Sequence, residues 1–303
     1  MSNALNGRGM KRNANQGTRW PLTVSLTCLA MIAFAANSLL ARLAFQKTSI
    51  DAASFTSIRV ITGAATLMLI LRFRGAKLSR STASWSSAVL LFTYAAAFSF
   101  AYRDISVGAG ALILFTSAQL LMIGYGLYLG ERASAWGIVT ALVGMAAFLM
   151  PSASAPPLGA AALMAVAGFA WGGFSLLGRS SGSPVANTAG SFLFAVPLAL
   201  ALVLIFREHL VLDWAGVAYA TLSGSLASAI GYVIWYWVRS RITAIGAGAV
   251  QLSVPVLSAS LGALLLGERI SLRGAIPAVV TLAGVAWVML TASPTRPLAS
   301  SHK

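Results

Sequence analysis

Residues able to make or break covalent bonds are few in this chain, and they stand apart. His209 and His302 are the two histidines and Cys28 the one cysteine, and none of them joins a cluster of metal ligands, so neither a metal nor a cofactor is expected. The six acidic residues (Asp51, Asp104, Glu131, Glu208, Asp213 and Glu268) fall at loops or helix ends, not as facing pairs. The patterns G-x-S-x-G, H-E-x-x-H and G-x-x-x-x-G-K-[ST] are absent, which removes motif support for hydrolysis or nucleotide-driven pumping. An enzyme is therefore disfavoured.

What remains is the chemistry of recognition. Asn37, Ser38, Gln119, Gln251 and Ser253 are polar groups set inside long apolar runs. At bilayer depth such groups turn to a bundle interior or a wet cavity. A neutral amide both donates and accepts, which suits a zwitterion, although hydrogen bonding between helices would use it equally well. Trp171 stands mid-run between Ala170 and Gly172-Gly173. Small neighbours leave room for a flat ligand to stack on the indole, or they let another helix pack there. Tyr94 and Phe98, four residues apart, share a helix face and form either a cavity wall or ordinary packing. Gly224, Ser228 and Tyr232 follow the same spacing and read as a small-residue packing stripe. Arg59 is the one basic residue well inside an apolar run. A carrier of phosphorylated sugars would need several such cations, so that substrate class is disfavoured.

The elements that must position these residues are membrane helices. Apolar residues make up 58% of the chain and charged ones 9%, with mean hydropathy +0.83, whereas a soluble domain carries about 25% charged residues. Spans of about 20 apolar residues are needed to cross the bilayer core. Ten are expected, at 21–45, 54–73, 85–102, 109–129, 136–150, 158–178, 187–206, 214–238, 245–266 and 274–290. The first is too long for a secretory leader and reads as a retained span. Seven of the eight tryptophans, Trp171 excepted, stand near span ends, as interfacial anchors do.

The net charge of +15 would suit nucleic acid, but the Lys and Arg residues lie between apolar runs, so no nucleic-acid partner is expected. Fourteen of them fall in the two tails (1–19 and 292–303) and the even-numbered connections, against six on the other side. That excess puts both termini in the cytoplasm. The tails themselves read as short, polar and disordered.

Gly130-Glu131-Arg132 returns as Gly267-Glu268-Arg269, 137 residues on, and Ser38-Leu39-Leu40-Ala41-Arg42 returns at the same offset as Ser175-Leu176-Leu177-Gly178-Arg179. A shared offset implies duplication, with one copy at 20–151 and the other at 152–291. Five spans is an odd number, so the second copy must enter from the other side, giving inverted repeats around a central cavity. The chain here resembles the drug/metabolite transporter superfamily, in its EamA-type branch, on its ten spans and on a G-E-R closing the fourth helix of each half. Pro255 is similar to the mid-helix proline of that family, and Ser117 departs from it in the first half. Pro255 is a candidate hinge for gating, and Glu131 and Glu268 read as ties at helix ends. Length and aromatic content look most like the YddG-type exporters of aromatic and other amino acids.

The expected function is thus a secondary transporter of the bacterial inner membrane that exports amino acids by alternating access. Its partners are a small-molecule substrate and the lipid bilayer, with no obligate protein partner evident. With no carboxylate or histidine inside a span, it reads as a facilitator or exchanger, or as coupled through a helix-end carboxylate. The alternatives are an exporter of amphipathic drugs or other metabolites and, further off, a membrane scaffold or enzyme.

Overall fold

The computed structural model describes residues 20–76, 78, 85–130, 133–149, 155–177, 184–239, 241 and 250–291. Among them the regular structure is helical throughout. The helices are α1 (Trp20–Lys47), α2 (Ala52–Phe73), α3 (Trp85–Ala101), α4 (Val107–Tyr128), α5 (Ala135–Leu149), α6 (Leu158–Leu177) and α7 (Pro184–Ile205). Then come α8, in three consecutive pieces (Trp214–Leu222, Ser223–Ile230 and Gly231–Arg239), α9 (Ser253–Leu266) and α10 (Leu272–Thr291). Seven of these are long and apolar enough to cross a membrane, while α3, α5 and α9 are apolar but shorter. The 15 residues of α5 rise only about 22 Å, less than the ~30 Å hydrocarbon core.

Local chemistry sets the starts. Asp51 accepts from Ala53 N and Ser54 N at the head of α2, and Asp213 from Ala215 N and Gly216 N at the head of α8. Ser106, Ser134 and Ser271 do the same with their hydroxyls for α4, α5 and α10. Such caps satisfy amides that have no partner within the helix. Gly130 (φ 85°) and Gly267 (φ 67°) follow α4 and α9 in the left-handed conformation, which glycine alone adopts without steric cost. Apolar side chains such as Leu22, Ile32, Leu264 and Ile276 point outward and are exposed, the surface that lipid requires.

Packing repeats itself when each helix is exchanged for the one five places on. The α3–α6 contact has its counterpart in α8–α1, α4–α6 in α9–α1, and α3–α7 in α8–α2, while α2–α7, α4–α9 and α5–α10 each join a helix to its own counterpart. The α5–α10 seam is made of small residues. A β-carbon added at Gly144 would fall 2.6 Å from Thr281 N, one at Gly137 2.8 Å from Val288 Cγ2, and one at Gly284 would collide with Ala141 N. Gly130 closes one end of α4, and at the other end Glu268 Oε2 accepts from Val107 N at 2.8 Å. The glycine of the first G-E-R and the glutamate of the second therefore lie at opposite ends of a 22-residue helix, about 33 Å long.

Candidate functional site

Five helices, α1, α3, α4, α6 and α8, meet around a small cavity near the middle of the bundle. Phe34, Asn37, Ser38, Tyr94, Phe98, Phe115, Trp171 and Tyr232 are among the residues that line it. Its volume is about 20 Å³, room for one or two waters, so a solute must spread these side chains to enter. Trp171 sits at the hub of an aromatic cluster. Its indole centroid lies 5.1 Å from that of Tyr232, 5.2 Å from Tyr94, 5.9 Å from Phe174 and 6.1 Å from Phe34. The indole Nε1 is buried without a hydrogen-bond partner. Of the two readings of the glycines beside Trp171, the contacts match helix packing. Gly172 approaches the Ala118 carbonyl and Gly168 the Leu114 carbonyl, so these small residues bring α6 against the α4 backbone. Gly173 does the same against Leu90 of α3.

A polar network runs along one side of the rings. Asn37 Nδ2 donates to Tyr94 Oη at 3.1 Å, and its Oδ1 accepts from Ser223 Oγ at 2.6 Å. Arg59 Nη2 donates to the same Tyr94 oxygen at 2.8 Å, and Arg59 Nε reaches Ser228 Oγ at 3.4 Å. The guanidinium carbon stands 4.9 Å from the Tyr94 ring centre and 4.6 Å from that of Phe98. Arg59 is 2% exposed and its Nη1 has no hydrogen-bond partner.

The Gly224-Ser228-Tyr232 stripe divides its roles. Gly224 packs on the Arg59 carbonyl, Ser228 meets the guanidinium, and Tyr232 lines the cavity. An α-helical spacing does not hold there, because Ser223–Ile230 is a π-helix. Gly231 N donates to Leu226 O, five residues back, which widens each turn.

Other expected site residues lie elsewhere. Gln119 and Gln251 are both buried and bond each other, Nε2 to Oε1 at 3.2 Å, across the α4–α9 contact. Their amides serve the helix pair and do not line the cavity. Ser253 is exposed, with its hydroxyl donating to Val250 O. Pro255 is buried in the first turn of α9, which starts at Ser253 after a break at Leu252. The proline ring crowds the Gln251 carbonyl four residues back and has no N–H to offer it, and the helical pattern lapses at Leu252, between helical Gln251 and Ser253. Ser117, at the matching place, lies in an unbroken α4. Residues 245–249 of the ninth expected span are outside the described residues, as are Glu131, Arg132 and both tails.

Glu268 joins two other elements. Its Oε1 is 3.5 Å from Arg42 Nε, and its Oε2 caps α4, where the helix dipole favours a negative charge. Arg42 also donates to the Tyr102 and Arg103 carbonyls, so α1, the end of α3, the start of α4 and the segment after α9 converge. Among the described residues no three of His, Cys, Asp and Glu gather to hold a metal ion.

Sequence reasoning missed Phe34, Tyr232 and Trp235 as parts of one cluster. Trp235, expected at an interface, is buried with its ring 5.9 Å from Phe34. A lone cation inside an apolar run was the visible signal for Arg59.

Known proteins bear on this arrangement in three ways. The family model for EamA-like transporters matches residues 158–290, from the first residue of α6 to the penultimate one of α10. An uncharacterized protein of Pseudomonas aeruginosa is 48% identical over 270 residues, which cover 88% of this chain and 94% of that one. A solved crystal structure aligns with a TM-score of 0.64 over 88% of this chain and 98% of its own, at 19% identity, a likeness of fold alone. Residues 158–290 are thus an EamA-like transporter family domain, which belongs to the drug/metabolite transporter superfamily, in a chain whose long apolar helices make it a multi-span membrane protein.

Proposed function

We propose that this protein is a secondary transporter that exports neutral amino acids, aromatic ones included, across the bacterial inner membrane. Two five-helix units, 20–151 and 152–291, insert in opposite senses with both termini cytoplasmic, and solute passes between them by alternating access. The observation that carries the reading is a cavity lined from both units: Phe34, Asn37, Tyr94 and Phe98 from the first, Trp171 and Tyr232 from the second. It combines ring faces with hydroxyl and amide groups, as recognition of an amphipathic solute requires. The packing that repeats every five helices and the location of Gly130 and Glu268 at opposite ends of α4 support the inverted arrangement. In this subgroup the substrate preference is that of the YddG-type exporters.

The described carboxylates lie at helix ends or in loops, Asp51, Asp213 and Glu268 as caps, so the protein works as a facilitator or exchanger. Counterflow of a panel of labelled amino acids into proteoliposomes tests the reading. Saturable uptake that competes according to the amino-acid backbone is the expected result. Competition that tracks hydrophobicity alone would make it an exporter of amphipathic drugs, and the absence of flux for every solute would make it a scaffold. Uptake driven by an imposed pH gradient alone would overturn the uncoupled mechanism.

A further inference from the structure

Arginine keeps its charge in proteins, and burying that charge unpaired is costly. Arg59 is buried to 2% exposure in α2, yet it has no ion pair among the described residues. Five of the six acidic residues of the chain are described, and each lies at a helix end or in a loop. What faces the guanidinium is the Tyr94 hydroxyl at 2.8 Å, a long contact to Ser228 Oγ, and the faces of Tyr94 and Phe98. These neutral groups hold the cation in place, and both of those rings line the central cavity. Nη1 keeps its N–H groups uncommitted.

We infer that Arg59 is the receptor for a substrate carboxylate, and that the transported class is small monocarboxylates carrying an aromatic or other apolar group. The inference rests on the cavity being the transport site. A guanidinium presents parallel N–H donors at the spacing of carboxylate oxygens. A single cation balances a single negative charge, so a carboxylate fits where a phosphate ester would leave charge uncompensated. Tyr94 Oη already accepts from Asn37 and Arg59, and it has its own hydrogen to give to the bound anion. The amide of Asn37 is engaged with Tyr94 and Ser223, so it fixes the tyrosine and leaves anion binding to the arginine. Beyond the carboxylate lie the rings of Phe34, Trp171 and Tyr232, which take the apolar part. Amphipathic cations are rejected by the same charge.

Thermal stabilisation of the purified protein in detergent tests this independently of flux. The probes are phenylalanine, 3-phenylpropionate and phenylalaninamide, each against wild type, Arg59→Gln and Arg59→Lys. Wild type is expected to bind the two acids about 10- to 100-fold more tightly than the amide, the range for charge-assisted hydrogen bonds. Arg59→Gln should lose that preference, binding the acids more weakly and the amide, no longer repelled by the guanidinium, at least as well as wild type, and Arg59→Lys should keep part of it. Equal binding of acid and amide by wild type, no stabilisation by either acid, or an undiminished preference in Arg59→Gln would each overturn the assignment. If Arg59→Gln does not yield folded protein, the wild-type panel and Arg59→Lys decide. Acid-selective binding without flux of any labelled amino acid would sink the transport reading and leave the receptor standing.

Discussion

At the scale of single residues, Trp171 has the most at stake. Four rings surround its indole within 6.1 Å, and a flat solute entering the cavity must displace some of those contacts. Ring pairs of this kind contribute about 0.5–1.5 kcal/mol each beyond burial. Trp171→Ala is therefore expected to weaken aromatic solutes about two- to tenfold more than aliphatic ones, read as competition constants at normal expression. Equal losses for both classes would make the indole a packing element. Which aromatics converge was only partly legible: Tyr94, Phe98 and Trp171 could be singled out, because mid-span position and small neighbours mark them. Phe34 and Tyr232 could not, since nothing in a Leu/Ala-rich run tells which face of a helix meets which partner. Gln119 and Gln251 show the second of the two uses open to such amides. A buried amide satisfied by another amide looks the same in sequence as one offered to a ligand.

Among the elements, α9 differs from its counterpart α4 at a proline. α4 runs unbroken through Ser117, whereas α9 is interrupted at Leu252 by the ring of Pro255. Gln251, just before the break, bonds Gln119, so the interruption lies directly on the α4–α9 contact. Pro255→Ala removes the clash and the missing donor, which lets the helix continue through residue 251. The variant should insert and fold normally, but transport should turn over severalfold more slowly with substrate affinity unchanged. Unaltered turnover would leave the break a static feature. The existence of the spans was legible because length and hydropathy fix them. The π-helical stretch of α8 was not, and neither was the approach of Gly224 within it to the Arg59 carbonyl, a contact between distant segments. The G-E-R glycines were readable as helix terminators, while the choice of Arg42 as the partner of Glu268 is a tertiary fact.

For the whole molecule, the decisive property is orientation. Leu129 and Ile270, both exposed, flank the first and second G-E-R segments. In a background lacking Cys28, Leu129→Cys and Ile270→Cys should react with a membrane-impermeant thiol reagent from opposite faces of the membrane, the former from the cytoplasm. Reaction of both from one face would end the inverted arrangement. Two motifs at a shared offset are what argue for duplication in the sequence, whereas the matching helix contacts α3–α6 and α8–α1 could not be read there, since they join distant segments. The seam between α5 and α10 has one more consequence. Backbones brought together over Gly137, Gly144 and Gly284 cannot shear past each other without collision. This pair is a rigid strut, and any rearrangement that spreads the side chains around Trp171 has to come from helices moving about it.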